Sequence, residues 1–470
     1  MNNRISILVA CCCVTLCGAE EITPNLNSIF ISSNSYIQNP YANSPSGGKT
    51  KINNSDSESD GVWETLFSDG TYNINSGLTG GFGSKANGVG GNTYAYGSSA
   101  FAQTGRLAGF SIGAGATVMN PLFAKKLNGL NINNDLFVPS NQQIAITQSF
   151  IDYQYSNIVD ANIGYISINN SPWLSPAYSN NMLSIPATYQ GALVNMYPGS
   201  GWLMTALAFN GIQTSGENGF TGETFYNQKY GLTPLSNNAS SNGTIAFGAN
   251  YLTADNTYNL RLWGYQFDNF GSMLYGDTSI VVPLTTQVSL NFAAQAGLDN
   301  SFGANTAYSG NPYYSGINSQ YAGAQAGIGI DWFSLVIAAN TVYGPSSSLG
   351  NGAIVAPYST NLGTDPLYAE GWMTNLVNGG MTGNIYKISS SLNFLDNTLS
   401  ITPNYVTFYG NNSYENNTQE AYITTTYSPL QIKGLSFFAV FAYEWQQDPQ
   451  PSIAQSPNSW TSSLVTTYLW

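Results

Sequence analysis

The chain has 470 residues and a formal net charge of −13, and only 7% of its residues are charged although 13% are aromatic. It contains no histidine, and all four cysteines (Cys11, Cys12, Cys13 and Cys17) lie near the amino terminus. The lack of histidine excludes Ser-His-Asp and Cys-His catalysis and histidine metal sites, and removal of the amino-terminal segment as a signal peptide, argued below, would leave no cysteine for a thiolate site. The acidic balance argues against nucleic acid as a partner. We therefore expect no enzymatic activity, no cofactor and no metal.

The first residues indicate a secretory signal peptide. Residues 1–4 are weakly basic, residues 5–17 are apolar but too few to cross a bilayer, and small residues up to Ala19 precede Glu20. We expect residues 1–19 to be the signal, with cleavage after Ala19. A lipoprotein lipobox ending at Cys11 is the alternative, although it would leave only a few apolar residues before the cut.

The rest of the chain divides at about residue 71. Residues 20–70 are rich in Asn, Ser and Pro and form a partly irregular lead-in. Residues 71–470 are a succession of alternating segments of 9 to 13 residues, near the length that a tilted strand needs to cross a membrane. Short turns alternate with longer connections between these segments, as in outer-membrane barrels with short periplasmic turns and long external loops.

Counting back from the last residue gives eighteen strands. They are predicted at 71–82, 94–105, 107–119, 144–155, 160–168, 185–197, 201–212, 243–252, 257–267, 272–282, 287–298, 319–331, 333–343, 383–394, 398–409, 419–428, 434–446 and 459–470. Residues 27–37 and 223–230 are two further candidates for extended structure. An even number of strands places both ends of the barrel on the periplasmic side.

The alternation separates an apolar face from a polar one. In 434–446, Phe437 and Phe441 share one face, whereas Ser436 and Glu444 share the other. A charge facing lipid near mid-bilayer costs roughly 2–4 kcal/mol, so the polar face must be turned to a lumen. A soluble β-sandwich also alternates, but its solvent face would carry far more Lys and Glu. The predicted fold is therefore all-β: a transmembrane antiparallel β-barrel of about 18 strands.

Barrels of 16 to 18 strands leave an aqueous channel, which inward-folded loops can narrow. Two long connections, 169–184 and 344–382, are the candidates for this constriction. The residues predicted to line the pore or its constriction are Asp152, Trp173, Tyr178, Arg261, Asp365, Glu370, Lys387, Glu420 and Glu444.

The carboxyl terminus resembles the signal by which bacterial outer-membrane barrels are recognised for insertion. Ser463, Tyr468 and Trp470 fit this pattern, whereas Val465 stands where Gly is usual. The resemblance implies that the barrel assembly machinery is a partner. It also assigns Tyr468 and Trp470 to the aromatic girdle at the membrane interface.

Two segments resemble the region around the third loop of the outer membrane porin D family. They are residues 164–172 (GYISINNSP) and 182–192 (MLSIPATYQGA). The resemblance implies an eighteen-stranded, substrate-selective porin whose third and seventh loops line the constriction. Members specialising in carboxylates are similar to one another in a ladder of arginines along the lumen. After the signal, this chain has only Arg106 and Arg261, which do not make such a ladder.

The sequence therefore predicts passive diffusion of small neutral or cationic solutes across the outer membrane of a Gram-negative bacterium. Inward carboxylates would focus cations and repel anions. The expected partners are small-molecule or ion permeants and outer-membrane lipid, and a monomer and a homotrimer both remain open. A surface-exposed adhesin with a plugged or minor pore is the alternative function.

Overall fold

The computed structural model describes most of the chain after residue 65. The described residues are 66–67, 69–84, 90–122, 142–174, 187–213, 219–224, 226, 241–303, 316–358, 366–374, 376–377, 382–411, 417–446 and 458–469. The leader and most of the lead-in thus lie outside them. Within the described residues the chain forms one 18-stranded sheet, as the alternation predicts.

The strands follow one another along the chain, and short turns alternate with connections that are mostly longer, although the connection 268–270 is short. They are β1 (Thr71–Ser84), β2 (Gly90–Gln103), β3 (Phe110–Pro121), β4 (Gln143–Tyr155), β5 (Val159–Ile166), β6 (Thr188–Gly199), β7 (Trp202–Gln213), β8 (Thr244–Leu252), β9 (Tyr258–Phe267), β10 (Gly271–Pro283), β11 (Val288–Ser301), β12 (Asn318–Ile330), β13 (Phe333–Tyr343), β14 (Gly383–Phe394), β15 (Leu399–Gly410), β16 (Thr418–Tyr427), β17 (Leu435–Gln446) and β18 (Asn458–Leu469). Every predicted strand is present. The described part of 223–230 contains no strand, although an isolated bridge joins Ile212 to Thr221 nearby.

Each strand pairs antiparallel with its neighbours in sequence, and β1 pairs with β18 to close the barrel. This seam runs from the pair Asn75 and Leu469 to the pair Ser84 and Trp460. One rim of the barrel carries the short turns, such as Asp331-Trp332, and we call it the turn rim. The other rim carries the long connections, including loop 3 (167–187) and loop 7 (344–382), and we call it the loop rim.

The outer wall is apolar. Outward-facing Ile146, Phe247 and Ile337 are each more than half exposed, which is unfavourable in water but suits lipid. Aromatic side chains lie near both rims: Trp332 stacks on Phe394 near the turn rim, with ring centroids 6.3 Å apart, and other outward aromatic pairs lie near the loop rim. The wall therefore has the apolar band and two girdles of a membrane barrel. Among the described residues, no helix is long and apolar enough to cross a membrane.

The inner wall is partly filled. Inward side chains of strands from β4 to β15 pack with residues of loops 3 and 7 in one cluster of buried apolar groups. Loop 7 includes a short 3-10 helix at Leu349–Gly352. The largest apolar core thus lies inside the barrel, between its wall and these two loops, and it positions the candidate site.

Candidate functional site

The described part of loop 3 lies against the inner wall. Trp173 is only 1% exposed, and its ring meets those of Tyr275 on β10 and Tyr321 on β12 edge-on, at centroid distances of 6.1 and 5.5 Å. The hydroxyls of Ser171 and Tyr265 lie 2.9 Å apart. Such edge-to-face contacts are favourable for aromatic pairs. Trp173 is therefore an apolar anchor of the described part of loop 3.

Polar contacts hold the same loop to neighbouring strands. Asn170 donates from Nδ2 to Asn195 Oδ1 on β6 at 3.1 Å and to Thr205 Oγ1 on β7 at 2.8 Å. These wall residues lie in the half of their strands nearer the turn rim. The described part of loop 3 therefore reaches deep into the lumen.

A glutamate of the wall holds loop 7 by its backbone. The carboxylate of Glu420 on β16 is fully buried and accepts hydrogen bonds from the backbone N–H groups of Trp372 (2.9 Å), Met373 (3.1 Å) and Thr374 (2.9 Å). Glu444, its cross-strand partner on β17, accepts from Thr374 Oγ1 at 3.2 Å. These donors offset the burial of the carboxylate.

Glu370 organises loop 7 from within. Its Oε1 atom accepts from the backbone N–H groups of Leu376 (2.7 Å) and Val377 (3.3 Å). Lys387 on β14 donates from Nζ to the backbone carbonyl of Glu370 at 3.1 Å. Val377 in turn forms a parallel bridge with Ile354, which joins the later part of the loop to its first described part, 344–358.

Earlier in loop 7, two inward side chains bind its backbone. Asp299 on β11 accepts from the N–H of Val355 at 2.8 Å, and Asn340 on β13 accepts from that of Ala369 at 2.9 Å. Inward side chains of β11, β13 and β16 therefore hold loop 7 at three separated points.

An aromatic side chain adds to these anchors. The ring of Tyr358 meets those of Phe209 and Phe267 edge-on, at 5.5 and 5.9 Å. Burial raises the pKa of Tyr358 from 10.0 to about 12, so its phenol is neutral at physiological pH.

Arg261 is neutralised by a neighbour. Its guanidinium forms a buried ion pair with Asp277 on β10, and Nε lies 2.9 and 3.0 Å from the two carboxylate oxygens. Tyr275 donates its hydroxyl to the same carboxylate at 2.7 Å. A guanidinium paired side by side in this way has little capacity left for an anionic solute.

A second guanidinium is paired near the turn rim. Asp152 on β4 is 2% exposed; it forms an ion pair with Arg106 and accepts hydrogen bonds from Ser111 Oγ (2.8 Å) and Gln103 Nε2 (3.3 Å). Asp160 is the first residue of the predicted strand 160–168; in the structure it is the second residue of β5, and its side chain is buried on the inner face.

The structure thus places the described members of the predicted set on the inner wall or in its loops. Asp152, Arg261, Lys387, Glu420 and Glu444 face inward from strands, and Trp173 and Glu370 belong to loops 3 and 7. Glu370, Lys387, Glu420 and Glu444 come together around residues 370–377, whereas Asp152 and Arg261 belong to separate ion pairs. Tyr178, Asp365, Trp470 and Ala19 lie outside the described residues. Tyr468 lies on β18 near the turn rim, half-buried, on the outward face.

Three inward acids were not singled out from the sequence. Asp277 on β10 and Asp299 on β11 occupy inward positions in the two-residue alternation of their own strands, and this pattern could have identified them from the sequence. Asp160 was harder to assign, because a shift of one residue reverses the face of a side chain at a strand boundary.

No family model matches the chain, and no curated protein does. Solved structures do match: OpdK of Pseudomonas aeruginosa with vanillate is 14% identical, with a TM-score of 0.63 over 86% of this chain and 99% of that one. OccAB2 of Acinetobacter baumannii is 13% identical with a TM-score of 0.67, and a BenF-like porin of Pseudomonas fluorescens is 12% identical with a TM-score of 0.66, over the same shares. These likenesses confirm the resemblance to the porin D family at the level of the fold.

Proposed function

We propose that this chain is an outer-membrane porin that gives passive diffusion to small neutral or cationic solutes. The observation that carries the proposal is a closed 18-stranded barrel with an apolar outer wall, whose lumen is narrowed by loops 3 and 7. A barrel of this size is wide enough for an aqueous channel. Two loops held by buried wall side chains would restrict passage to small solutes.

The charges of the lumen support a mild preference for cations. Among the described residues, the inner wall, its turns and loop 7 carry seven acidic side chains in this network and only three basic ones. The acids are Asp152, Asp160, Asp277, Asp299, Glu370, Glu420 and Glu444, and the bases are Arg106, Arg261 and Lys387. An excess of acidic over basic groups along a narrow pore favours cations over anions.

Carboxylate selectivity is not supported by the same charges. OpdK has been solved with vanillate, a carboxylate, but both arginines of this chain are engaged by aspartates. Exchanging either partner for a solute would leave a buried aspartate without its cation, which is costly.

The exported location and assembly route are part of the proposal. Residues 1–19 would direct export with cleavage after Ala19, and Tyr468 and Trp470 would mark the last strand for the barrel assembly machinery. The outward-facing girdle aromatics support residence in a membrane.

Single-channel recording in planar bilayers tests this function. We expect stable ohmic steps, and in a KCl gradient a reversal potential whose sign reports cation preference. A clear anion preference would contradict the selectivity. Absence of steps from correctly folded protein would contradict the porin function and favour a plugged barrel or an adhesin.

A further inference from the structure

One row of inward residues crosses the wall at the place where loops 3 and 7 are held. The register puts one member on each strand from β9 to β13, side by side, and we call them the polar row: Arg261, Asp277, Gln295, Gly323 and Asn340. At one end of the row, Arg261 and Asp277 form the buried ion pair. At the other end, Asn340 accepts the backbone N–H of Ala369 in loop 7. The row therefore runs from an ion pair of the wall to an anchor of loop 7.

Gln295 is the centre of the polar row, because its side-chain amide bonds to the wall and to loop 7. In the orientation that satisfies its neighbours, the amide nitrogen donates to the carbonyl of Pro366 at 2.9 Å and to the hydroxyl of Tyr275 at 3.2 Å. The amide oxygen accepts from the backbone N–H of Tyr368 at 3.0 Å and from Asn340 Nδ2 at 2.9 Å. Gln295 is buried, and these bonds use both donors and both acceptor positions of the amide.

A glycine on the intervening strand makes the contact between Gln295 and Asn340 possible. These two residues lie on β11 and β13, and Gly323 on β12 lies between them in the register. Neighbouring strands are about 4.8 Å apart, so side chains two strands apart can meet only where the space between them is left empty. A Cβ atom at position 323 would overlap the amide nitrogen of Asn340. Gly323 is therefore the gap through which the polar row is continuous.

Loop 3 rests on the same network through Tyr275. The ring of Trp173 meets the ring of Tyr275 edge-on, with their centroids 6.1 Å apart. The hydroxyl of Tyr275 donates to Asp277 Oδ2 at 2.7 Å and accepts from the amide of Gln295. A displacement of Trp173 that lets Tyr275 turn would therefore break the bond to Gln295. Contacts thus lead without a gap from loop 3, through Tyr275 and Gln295, to the backbone of loop 7 at 366–369.

We propose that Gln295 is a positioning residue that couples loop 3 to loop 7, so that the two loops narrow the lumen as one unit. Breaking one bond of a buried polar network leaves its other members with unsatisfied groups, so the network is held or lost as a whole. Freeing Trp173 therefore weakens the hold of Gln295 and Asn340 on loop 7. Two independent loops would give several conductance levels, whereas coupled loops open and close together. Only this consequence for conductance rests on the proposed porin function.

Thiol modification of Ala369→Cys in the folded protein tests the coupling. Ala369 is 0% exposed, so a cysteine there reacts only when this part of loop 7 is released, and its rate reports the released fraction. Trp173→Ala should raise this rate at least about fivefold, which corresponds to about 1 kcal/mol. When Gln295→Leu is already present, adding Trp173→Ala should raise the rate less than about twofold. A residue that only stabilises the barrel would leave the effect of Trp173→Ala unchanged, so this comparison isolates positioning.

A matched control and a second variant complete the test. Gln103 is also a buried inward glutamine, but it bonds Ser111 and Asp152 near the turn rim, so Trp173→Ala should keep its full effect beside Gln103→Leu. Gly323→Ala retains Gln295 but closes the gap in the polar row, and it should reduce the effect of Trp173→Ala as Gln295→Leu does. Protein without the substitution at 369 gives the background from the cysteines within residues 11–17.

The outcomes separate the coupling from the porin function. An unchanged rate at position 369 in Trp173→Ala protein overturns the coupling, and so does a full effect of Trp173→Ala beside both Gln295→Leu and Gly323→Ala. If Trp173→Ala does not fold, Trp173→Leu removes the ring but keeps an apolar side chain, and the same results decide. The thiol rates need no ion flow. A failed coupling therefore leaves the porin function intact, and a folded barrel that does not conduct is still judged by its thiol rates.

Discussion

Removing the carboxylate of Glu420 should release the middle of loop 7. This group accepts the backbone N–H groups of three consecutive residues, 372–374, inside the barrel. A hydrogen bond to a charged group contributes about 1.5–3 kcal/mol, and each buried donor left without a partner costs about 1–3 kcal/mol. In Glu420→Ala, neighbouring groups relax and recover part of this loss, so we expect the anchored state to be destabilised by roughly 3–6 kcal/mol.

A loss of this size is a factor of more than about one hundred in the equilibrium between held and released loop. Asp299 and Asn340 still bind the loop at Val355 and Ala369, so the change should be local rather than global. We expect single-channel records of Glu420→Ala to show higher mean conductance with frequent steps between levels. Glu420→Gln keeps one amide oxygen as an acceptor and should lie between this variant and the wild type.

Asp396→Asn provides the control, because it removes one carboxylate from an exposed turn at the turn rim. It should leave conductance and noise unchanged. The reasoning would be refuted if folded Glu420→Ala channels matched the wild type in both mean conductance and noise. That result would mean that the three N–H groups find other partners at no cost.

Three further predictions use the same measurements. Trp173→Ala should free loop 3 and raise the conductance, because deleting a buried Trp costs about 3–5 kcal/mol, whereas Trp173→Phe should keep most of the anchor. Asp277→Asn leaves the buried Arg261 guanidinium without its counter-charge, so it should lower the temperature of heat-induced unfolding, measured on gels, more than the double substitution Arg261→Met and Asp277→Leu does. Equal losses of unfolding temperature in the two variants would argue against a buried ion pair. The pKa of Tyr358 is raised from 10.0 to about 12, so its contribution to holding loop 7 should be constant below pH 10 and be lost between about pH 10 and 12. We therefore expect the conductance of the wild type to increase over this pH range as loop 7 is released, and the increase to be smaller in Tyr358→Phe. The same increase in both proteins would contradict the prediction.

Much of the architecture could be predicted from local pattern. Alternation in β17 assigned Phe441 to the lipid side and Glu444 to the lumen, and both assignments agree with the structure. This works because a charge facing lipid is so costly that almost every strand must keep the same alternation. The strand ends were less certain, which is why Asp160 was not recognised as a residue of the inner wall.

The candidate site could be predicted only in part. The residue types of Glu420, Arg261 and Asp152 suggested free charges in a lumen. In the structure, Glu420 binds the backbone of loop 7, while Arg261 and Asp152 are paired with Asp277 and Arg106. Each partner lies 16 to 48 residues away along the chain, and no short motif joins it to the residue that it binds.

The sequence by itself determined the fold class, the number of strands and the face on which most side chains lie. It did so because every strand of a membrane barrel alternates between residues that face lipid and residues that face the lumen. Only the tertiary structure decided which inward groups hold the loops. Closure of β18 on β1 fixed the register of the last strand pair, and the inward folding of loop 7 engaged Glu420. Register and loop position depend on contacts between distant segments, and local periodicity carries no information about them.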